Sequence, residues 1–446
     1  MKRNIYVLLI ALSTLAQTIL ENLPANTWYQ IPGTHLRAAM WNSPELKPYP
    51  NILSAWNSGA YDPIGRRLLV CGGGMGNYKG NEVYAFSLDS LKWTRLTDPC
   101  LNFTVCDSTY CGTPIVRHTY NGLVFINHMN RFFMHDGAWN APSSTNCPTG
   151  SISGTGCGMN STWQLDMVTL KWHMMKHTTG VTLGCGTNMA YDPSSHNLFK
   201  STLTGFFEYN PDSDVWKKVA DGASYYQTSF VDTGRGLFMQ CGNGNISSFN
   251  LRSSTTITRS VWATTGDDTI VKATNPGFDY DPVMDCYVGW KGGSSVYALN
   301  PETKVWTKFV STGGPAPTAN GIYGRWRYIP HLNVYITVTD IDSNVFVYKL
   351  TSNTGTTLNR SSNSGGWRVL FSPNPIGDKL TLTVFQNGLA NRNWLAELFD
   401  VSGKRVMETA GSGQAMLNLS NLPSGSYIVR ILSGKEKVAT RTFFKY

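Results

Sequence analysis

Apolar residues along this chain fall in short runs that alternate with polar ones, the period-2 signature of half-buried β-strands. Six segments share an aromatic residue, a turn and then a hydrophobic run: AYDPIGRRLLVCGG, VFINHMNRFFMHDG, AYDPSSHNLFKSTLTG, SFVDTGRGLFMQCG, DYDPVMDCYVGWKGG and RYIPHLNVYITVTD. Their aromatic anchors are Tyr61, Phe125, Tyr191, Phe230, Tyr280 and Tyr328. In four units a second strand pair follows and closes on a tryptophan: Trp93, Trp172, Trp216 and Trp306. Asp- and Asn-rich turns join the members of each pair, as antiparallel hairpins require. Self-similarity at this spacing predicts an all-β array of four-stranded units.

The first unit carries a diglycine, Gly72-Gly73, followed by Tyr84 and Trp93. This arrangement resembles the kelch repeat, a four-stranded β-propeller blade. Gly292-Gly293 keeps the pair in the fifth unit, and the third unit lacks it. The resemblance implies a kelch-like β-propeller over residues 17–350. The sixth unit ends without its tryptophan strand, and NTWYQIPG near the N-terminus, with Trp28, supplies one. A ring closed in this way leaves no bare sheet edge. Six blades are expected, with a divergent seventh left open in the excursion from Pro99 to Asn160.

Both ends of the chain read differently. Lys2 and Arg3 precede an apolar run from Ile5 to Leu12, and Thr14-Leu15-Ala16 supplies small residues. Residues 1–16 are therefore expected to be a secretory signal peptide, too short for a spanning helix. No later run is apolar for long enough to cross a membrane. Residues 351–366, TSNTGTTLNRSSNSGG, form a Ser/Gly/Thr-rich linker. Beyond it, residues 367–446 alternate between apolar strands and Pro/Gly turns, which predicts a small antiparallel β-sandwich. Ser372-Pro373-Asn374-Pro375, the Leu398–Lys404 turn and Leu422-Pro423-Ser424-Gly425-Ser426-Tyr427 resemble the type IX secretion system C-terminal sorting domain of Bacteroidota. The resemblance implies passage across the outer membrane, with the secretion machinery as a partner and a secreted or cell-surface location.

Charge alters the picture less than its total suggests. The formal net charge is +9, yet residues 367–446 hold ten basic and five acidic residues. Residues 17–366 carry 25 basic against 23 acidic side chains, close to neutrality. A phosphate-binding surface, and with it a nucleic-acid partner, is not expected. Nine cysteines occur. Cys100, Cys106, Cys111, Cys147 and Cys157 lie in loop-like segments and suit disulfides in an exported chain. Cys71, Cys185, Cys241 and Cys286 fall in or beside apolar strands and read as buried thiols. No Cys-x-x-Cys or Cys/His pair at zinc spacing occurs, so no metal is indicated. The cofactor, if any, stays open.

In a propeller the first strand of each blade lines the central channel, so the residues just before each anchor carry the candidate chemistry. These are AWNSG, RHTYNG, GCGTN, YYQTS, TNPGF and IYGRW. They bring together Trp56, Asn57, Arg117, His118, Tyr120, Tyr225, Tyr226, Gln227, Tyr323, Arg325 and Arg327. Aromatic faces stack on sugar rings, and Arg and Asn hydrogen-bond hydroxyls and carboxylates. Arginines opposite His and Tyr also match β-elimination of a uronic acid, as in a polysaccharide lyase. A cation neutralises the carboxylate, and His118 or Tyr120 moves protons, with Arg325 or Arg327 as the cation. Polysaccharide lyases resemble this chain in fold type and residue inventory alone. Five other histidines, at 128, 135, 173, 177 and 196, sit in turns or at strand ends and read as structural or surface residues.

Other chemistries lack their residues. A glycosidase needs two carboxylates, and Asp279 stands without a visible partner. Sialidase boxes and Gly-x-Ser-x-Gly are absent. The Tyr/His copper site of galactose oxidase, itself a kelch propeller, has no identifiable pattern here. Two readings stay open: an exported glycan-directed lyase acting on an anionic polysaccharide, and a non-catalytic surface propeller that binds glycan or protein. They differ on whether Arg117, His118, Tyr120, Arg325 and Arg327 share one pocket.

Overall fold

A computed structural model describes residues 19–46, 51–73, 78–100, 112–140, 155–157, 161–175, 188–222, 226–253, 256–351, 367–372, 378–386, 393–400, 402–423, 425–434 and 436–445. The expected signal peptide, nearly all of the linker, Tyr225, His177 and Cys106, Cys111, Cys147 and Cys185 lie outside them. The chain divides into two compact units: residues 1–329 with 333–356, and residues 330–332 with 357–446. Among the described residues no helix is long and apolar enough to cross a membrane.

The protein is all-β. Among the described residues its first unit contains six antiparallel sheets of four strands, the fifth with an added two-residue parallel strand. The opening strands of these sheets are Gly59–Asp62, Leu123–Ile126, Asn188–Asp192, Thr228–Asp232, Gly277–Asp281 and Arg327–Ile329. Each lies beside the next in this order, and the sixth also lies beside the first. Every aromatic anchor read from the sequence falls in one of these strands. The tryptophans Trp93, Trp172, Trp216 and Trp306 fall in fourth strands, all buried. The sixth sheet is completed by Thr27–Ile31, which pairs antiparallel with Val345–Lys349. In the excursion between Pro99 and Asn160, the described residues hold the first two strands of the second sheet. They also hold a short hairpin, Ala138–Asn140 with Thr155–Cys157.

Packing between sheets explains why four strands with alternating apolar residues suffice. Leu69, Val83 and Ala85 of the first sheet share one core with Phe125, Phe132 and Trp163 of the second. Phe133 and Ile126 meet Leu198, Phe207 and Trp216 of the third. Phe199 and Phe206 meet Phe238 and Phe249 of the fourth. Phe230 and Met239 meet Phe278, Tyr287 and Trp306 of the fifth. Between the fifth and sixth sheets, Trp28 lies 5.3 Å from Trp290, 5.8 Å from Trp326 and 4.9 Å from Tyr348, centroid to centroid. Each such side chain contributes roughly 1.5–3 kcal/mol on burial.

The first hairpin turn of several sheets is set by a buried aspartate. Asp62 Oδ1 accepts from the N–H groups of Ile64 and Gly65, and Asp281 Oδ1 from those of Val283 and Met284. Asp192 and Asp232 hold Ser194 and Arg235 in the same way. These Asx turns satisfy amides that the sheet ladder cannot reach. Each turn then closes through a residue with positive φ: Arg66, His196, Gly236 and Asp285.

Cys71, Cys241 and Cys286 are buried free thiols, whose pKa burial raises, and Cys100 is disulfide-bonded. In the second unit a three-stranded and a four-stranded antiparallel sheet share one core, built on Leu380, Leu382, Trp394, Leu398, Val429 and Ile431. Asp400 Oδ1 caps its turn by accepting from Ser402 and Lys404, and Tyr427 Oη donates to the Pro423 carbonyl.

Candidate functional site

Just ahead of the opening strands, the backbone does something that the residue types disfavour. Trp56, Tyr120, Tyr226, Asn275 and Tyr323 have φ of 52°, 44°, 61°, 51° and 51°. The left-handed region suits Gly and Asn, and a bulky residue held there costs on the order of 1–3 kcal/mol. These residues precede the first, second, fourth, fifth and sixth sheets. The equivalent stretch of the third sheet lies outside the described residues.

A belt of backbone hydrogen bonds imposes this conformation. The Trp56 carbonyl accepts from Tyr120 N–H at 2.7 Å, and that of Tyr226 from Asn275 N–H at 3.0 Å. The Asn275 carbonyl accepts from Ile322 N–H at 2.8 Å, and Asn121 O from Met189 N–H at 3.1 Å. These bonds tie neighbouring sheets together just ahead of their opening strands.

The rings meet there. His118 packs against Trp56 with centroids 5.0 Å apart and presents its edge to Tyr120 at 6.1 Å. Tyr120 meets Tyr323 edge-on at 6.2 Å. His118, Tyr120 and Tyr323 are buried, Trp56 is half-buried, and Tyr226 is 41% exposed. Burial raises the Tyr323 hydroxyl well above its ordinary pKa, and the nearby Tyr120 and Tyr226 add to the effect. Tyr323 Oη has no hydrogen-bond partner among the described residues. The same holds for Gln227 Oε1, Asn275 Oδ1, Asn121 Oδ1 and both polar atoms of the Asn188 amide. The collected side chains are thus aromatic, and buried amides of the same unit hold polar atoms without a hydrogen-bond partner among the described residues.

The arginines go elsewhere. Arg325 is fully buried and donates to three backbone carbonyls: Nε to Asn57 at 3.0 Å, Nη1 to Val338 at 2.7 Å and Nη2 to Gly321 at 2.5 Å. Burial pulls its pKa down to about 10, with Tyr323 opposing. Arg117 is also buried, donating to the carbonyls of Ile115 and Asp136 and to Ser161 Oγ. Arg327 faces Asp279, Nη1 to Oδ2 at 3.8 Å. Asp279 therefore has a partner, a cation rather than a second carboxylate. Arg325 and Arg327 do not share a face as two residues apart on one strand would. Arg325 ends the 3-10 turn Tyr323–Arg325, and the strand starts only at Arg327. Asn57 serves the backbone too: its amide donates to Asn51 and Ile52 carbonyls and its Oδ1 accepts from Thr119 N–H. Gln227 Nε2 donates to Gly242 and Asn245 carbonyls.

The geometry therefore collects Trp56, His118, Tyr120, Tyr226 and Tyr323, and it engages Arg117, Arg325 and Arg327 with protein groups. Asn275 was not singled out from the sequence. Its signal was its offset in the repeat, equal to that of the aromatic residues. A cavity of about 410 Å³ elsewhere, lined by Pro315, Pro317, Thr339, Asp340 and Phe346, contains none of the candidates.

Residues 371–445 match the family described as a secretion system C-terminal sorting domain. The chain is therefore exported, to the cell surface or the medium, and its C-terminal resemblance to the type IX sorting domain holds. No curated protein matches the sequence. Among solved structures, the chain is similar to an extracellular domain described as part of a hybrid two-component system of B. thetaiotaomicron. There the TM-score is 0.38 at 11% identity, covering 95% of this chain and 58% of that one. It is also similar to an auxiliary nutrient binding protein from Bacteroides thetaiotaomicron VPI-5482. The TM-score is 0.41 at 10% identity, covering 67% of this chain and 69% of that one. The chain thus spans little more than half of the first of these. Neither likeness carries an argument about activity.

Proposed function

We propose that residues 17–350 form a six-bladed kelch-like β-propeller that binds a neutral glycan without transforming it. Residues 1–16 direct export, 351–366 link, and 367–446 sort. The cyclic neighbour order of the six opening strands and the closure of the sixth sheet by Thr27–Ile31 support the propeller. The observation that carries the binding reading is the belt of left-handed residues. It sets Trp56, Tyr120, Tyr226 and Tyr323 just ahead of four opening strands, in a unit whose buried amides and Tyr323 phenol hold polar atoms without a partner among the described residues. Tyr226 and Trp56 offer accessible faces for a sugar ring.

β-Elimination needs a cation free to hold the uronate, and the three candidate guanidiniums are already engaged by carbonyls, a hydroxyl and a carboxylate. That weighs against a lyase and against an anionic ligand.

The test is a glycan array on the purified full chain, followed by calorimetric titration of the best oligosaccharide. Tyr226→Ala is expected to weaken binding about tenfold, the equivalent of one stacked ring, about 1.4 kcal/mol. Absorbance at about 235 nm, where unsaturated uronates absorb, is followed in parallel with anionic polysaccharides. A rise that His118→Ala abolishes would restore the lyase. Selective capture of a protein ligand with no sugar bound would replace the glycan.

A further inference from the structure

A second constellation lies where the second and third sheets meet at their turns. His128 sits on the 3-10 turn Asn127–Met129 between the first two strands of the second sheet. His196 closes the first hairpin of the third sheet and Asp212 lies in the turn before its fourth strand. One ligand atom from each of these three residues lies within 4.8 Å of the others. We propose that His128, His196 and Asp212 bind a divalent transition-metal ion of the zinc class, clamping the two sheets at their rim.

Two features separate this from a chance meeting of surface side chains. His128 Nε2 stands 3.2 Å from Asp212 Oδ1. Two ligands each about 2.1 Å from one tetrahedral zinc are separated by about 3.4 Å, so this pair already has the span. His128 Nδ1 is 2.8 Å from Tyr191 Oη, the outer partner that fixes the ring of a metal-bound histidine. The metal takes the Nε2 lone pair of the neutral imidazole. Its single ring proton then resides on Nδ1, where the Tyr191 oxygen accepts it, and no net proton is lost from the ring.

His196 supplies the third ligand. Its ring now lies stacked on that of His128, centroids 4.3 Å apart and planes within 10°. Ligation requires this exposed side chain to turn its edge toward Asp212. Two imidazoles and one carboxylate select Zn²⁺ over Mg²⁺ or Ca²⁺, which demand more oxygen ligands. Three protein ligands leave the fourth position to water.

The experiment is calorimetric titration of the chelator-stripped full chain with ZnCl₂, repeated with CaCl₂. Expected are one equivalent of zinc bound, a raised melting temperature and no calcium binding. His196→Ala and Asp212→Asn, both at exposed positions, are expected to weaken zinc at least tenfold while circular dichroism stays unchanged. Tyr191→Phe keeps all three ligands and is expected to weaken it about tenfold through the lost outer hydrogen bond. Wild-type protein that binds no zinc, or His196→Ala that binds it as wild type does, overturns the proposal.

Discussion

Replacing Lys200 with Met tests whether one buried charge pair joins the second and third sheets. Lys200 Nζ lies 2.8 Å from Asp136 Oδ2, and neither side chain has any exposed surface. Burial lowers the lysine's pKa, and Asp136 works against that shift. At an effective dielectric constant of about 20, the attraction at this separation is about 6 kcal/mol. Much of it is offset by the cost of taking two ions out of water, so the intact pair contributes little net stability.

Removing one partner is a different matter. Asp136 would remain buried with its charge and lose its lysine, while Oδ1 still accepts from the Gly137 N–H. Lys200→Met is therefore expected to cost about 3–5 kcal/mol. For a unit of this size that lowers the melting temperature by roughly 5–10 °C. Adding Asp136→Asn removes the buried charge, keeps the bond to Gly137 and is expected to recover at least half of the loss. The assay is thermal and urea denaturation of wild type, both single variants and the double variant. If Lys200→Met costs less than about 1 kcal/mol, or the double variant is no more stable than the single, the charge-pair account fails.

Two further outcomes follow from the fold. Asp281 is fully buried, and its pKa is raised to about 6, chiefly by burial. Because its folded pKa is above the unfolded value, its contribution to stability is fully present below about pH 4 and is lost as pH rises through 6. Asp281→Asn should therefore gain on wild type between pH 4 and 7 by on the order of 3 kcal/mol. A melting-temperature difference that stays constant across that window would remove the carboxyl from the account. Trp28→Ala takes a buried ring from among Trp290, Trp326 and Tyr348, together with its bond to the Ser294 carbonyl. The expected cost is about 3–5 kcal/mol, with faster protease cleavage around residue 27, read by timed digestion and mass spectrometry.

The repeat was legible because its physics is local. Alternation marks a strand, an aspartate at its end marks the turn, and a tryptophan closes the fourth strand against the preceding sheet. Even the strand around Trp28 could be assigned, since the sixth unit lacked its own. Where side chains end up was less legible. The residue letters put Arg325 and Arg327 in one candidate pocket, and the turn at Tyr323–Arg325 sends them to different partners. Nothing in the letters Trp, Tyr or Tyr announces a left-handed backbone, because that conformation comes from bonds to the adjacent sheet. His128, His196 and Asp212 stand 68 and 16 residues apart in succession. No spacing rule reaches that far, so the two histidines read singly as structural or surface residues.

The pairing of Thr27–Ile31 with Val345–Lys349 also sets an order of events during synthesis. The first strand made has to wait for nearly the last of its unit, across more than 300 residues of chain. Bringing ends that distant together costs about 5 kcal/mol of loop entropy. Until then, the edge of the sixth sheet lies bare and can accept a strand of the right pattern from any chain. In a concentrated refolding mixture, the nearest such strand belongs to a neighbouring copy. Interlocked dimers and longer chains of exchanged strands are then the natural by-products, and a fragment that begins after residue 31 would lack the strand that prevents them.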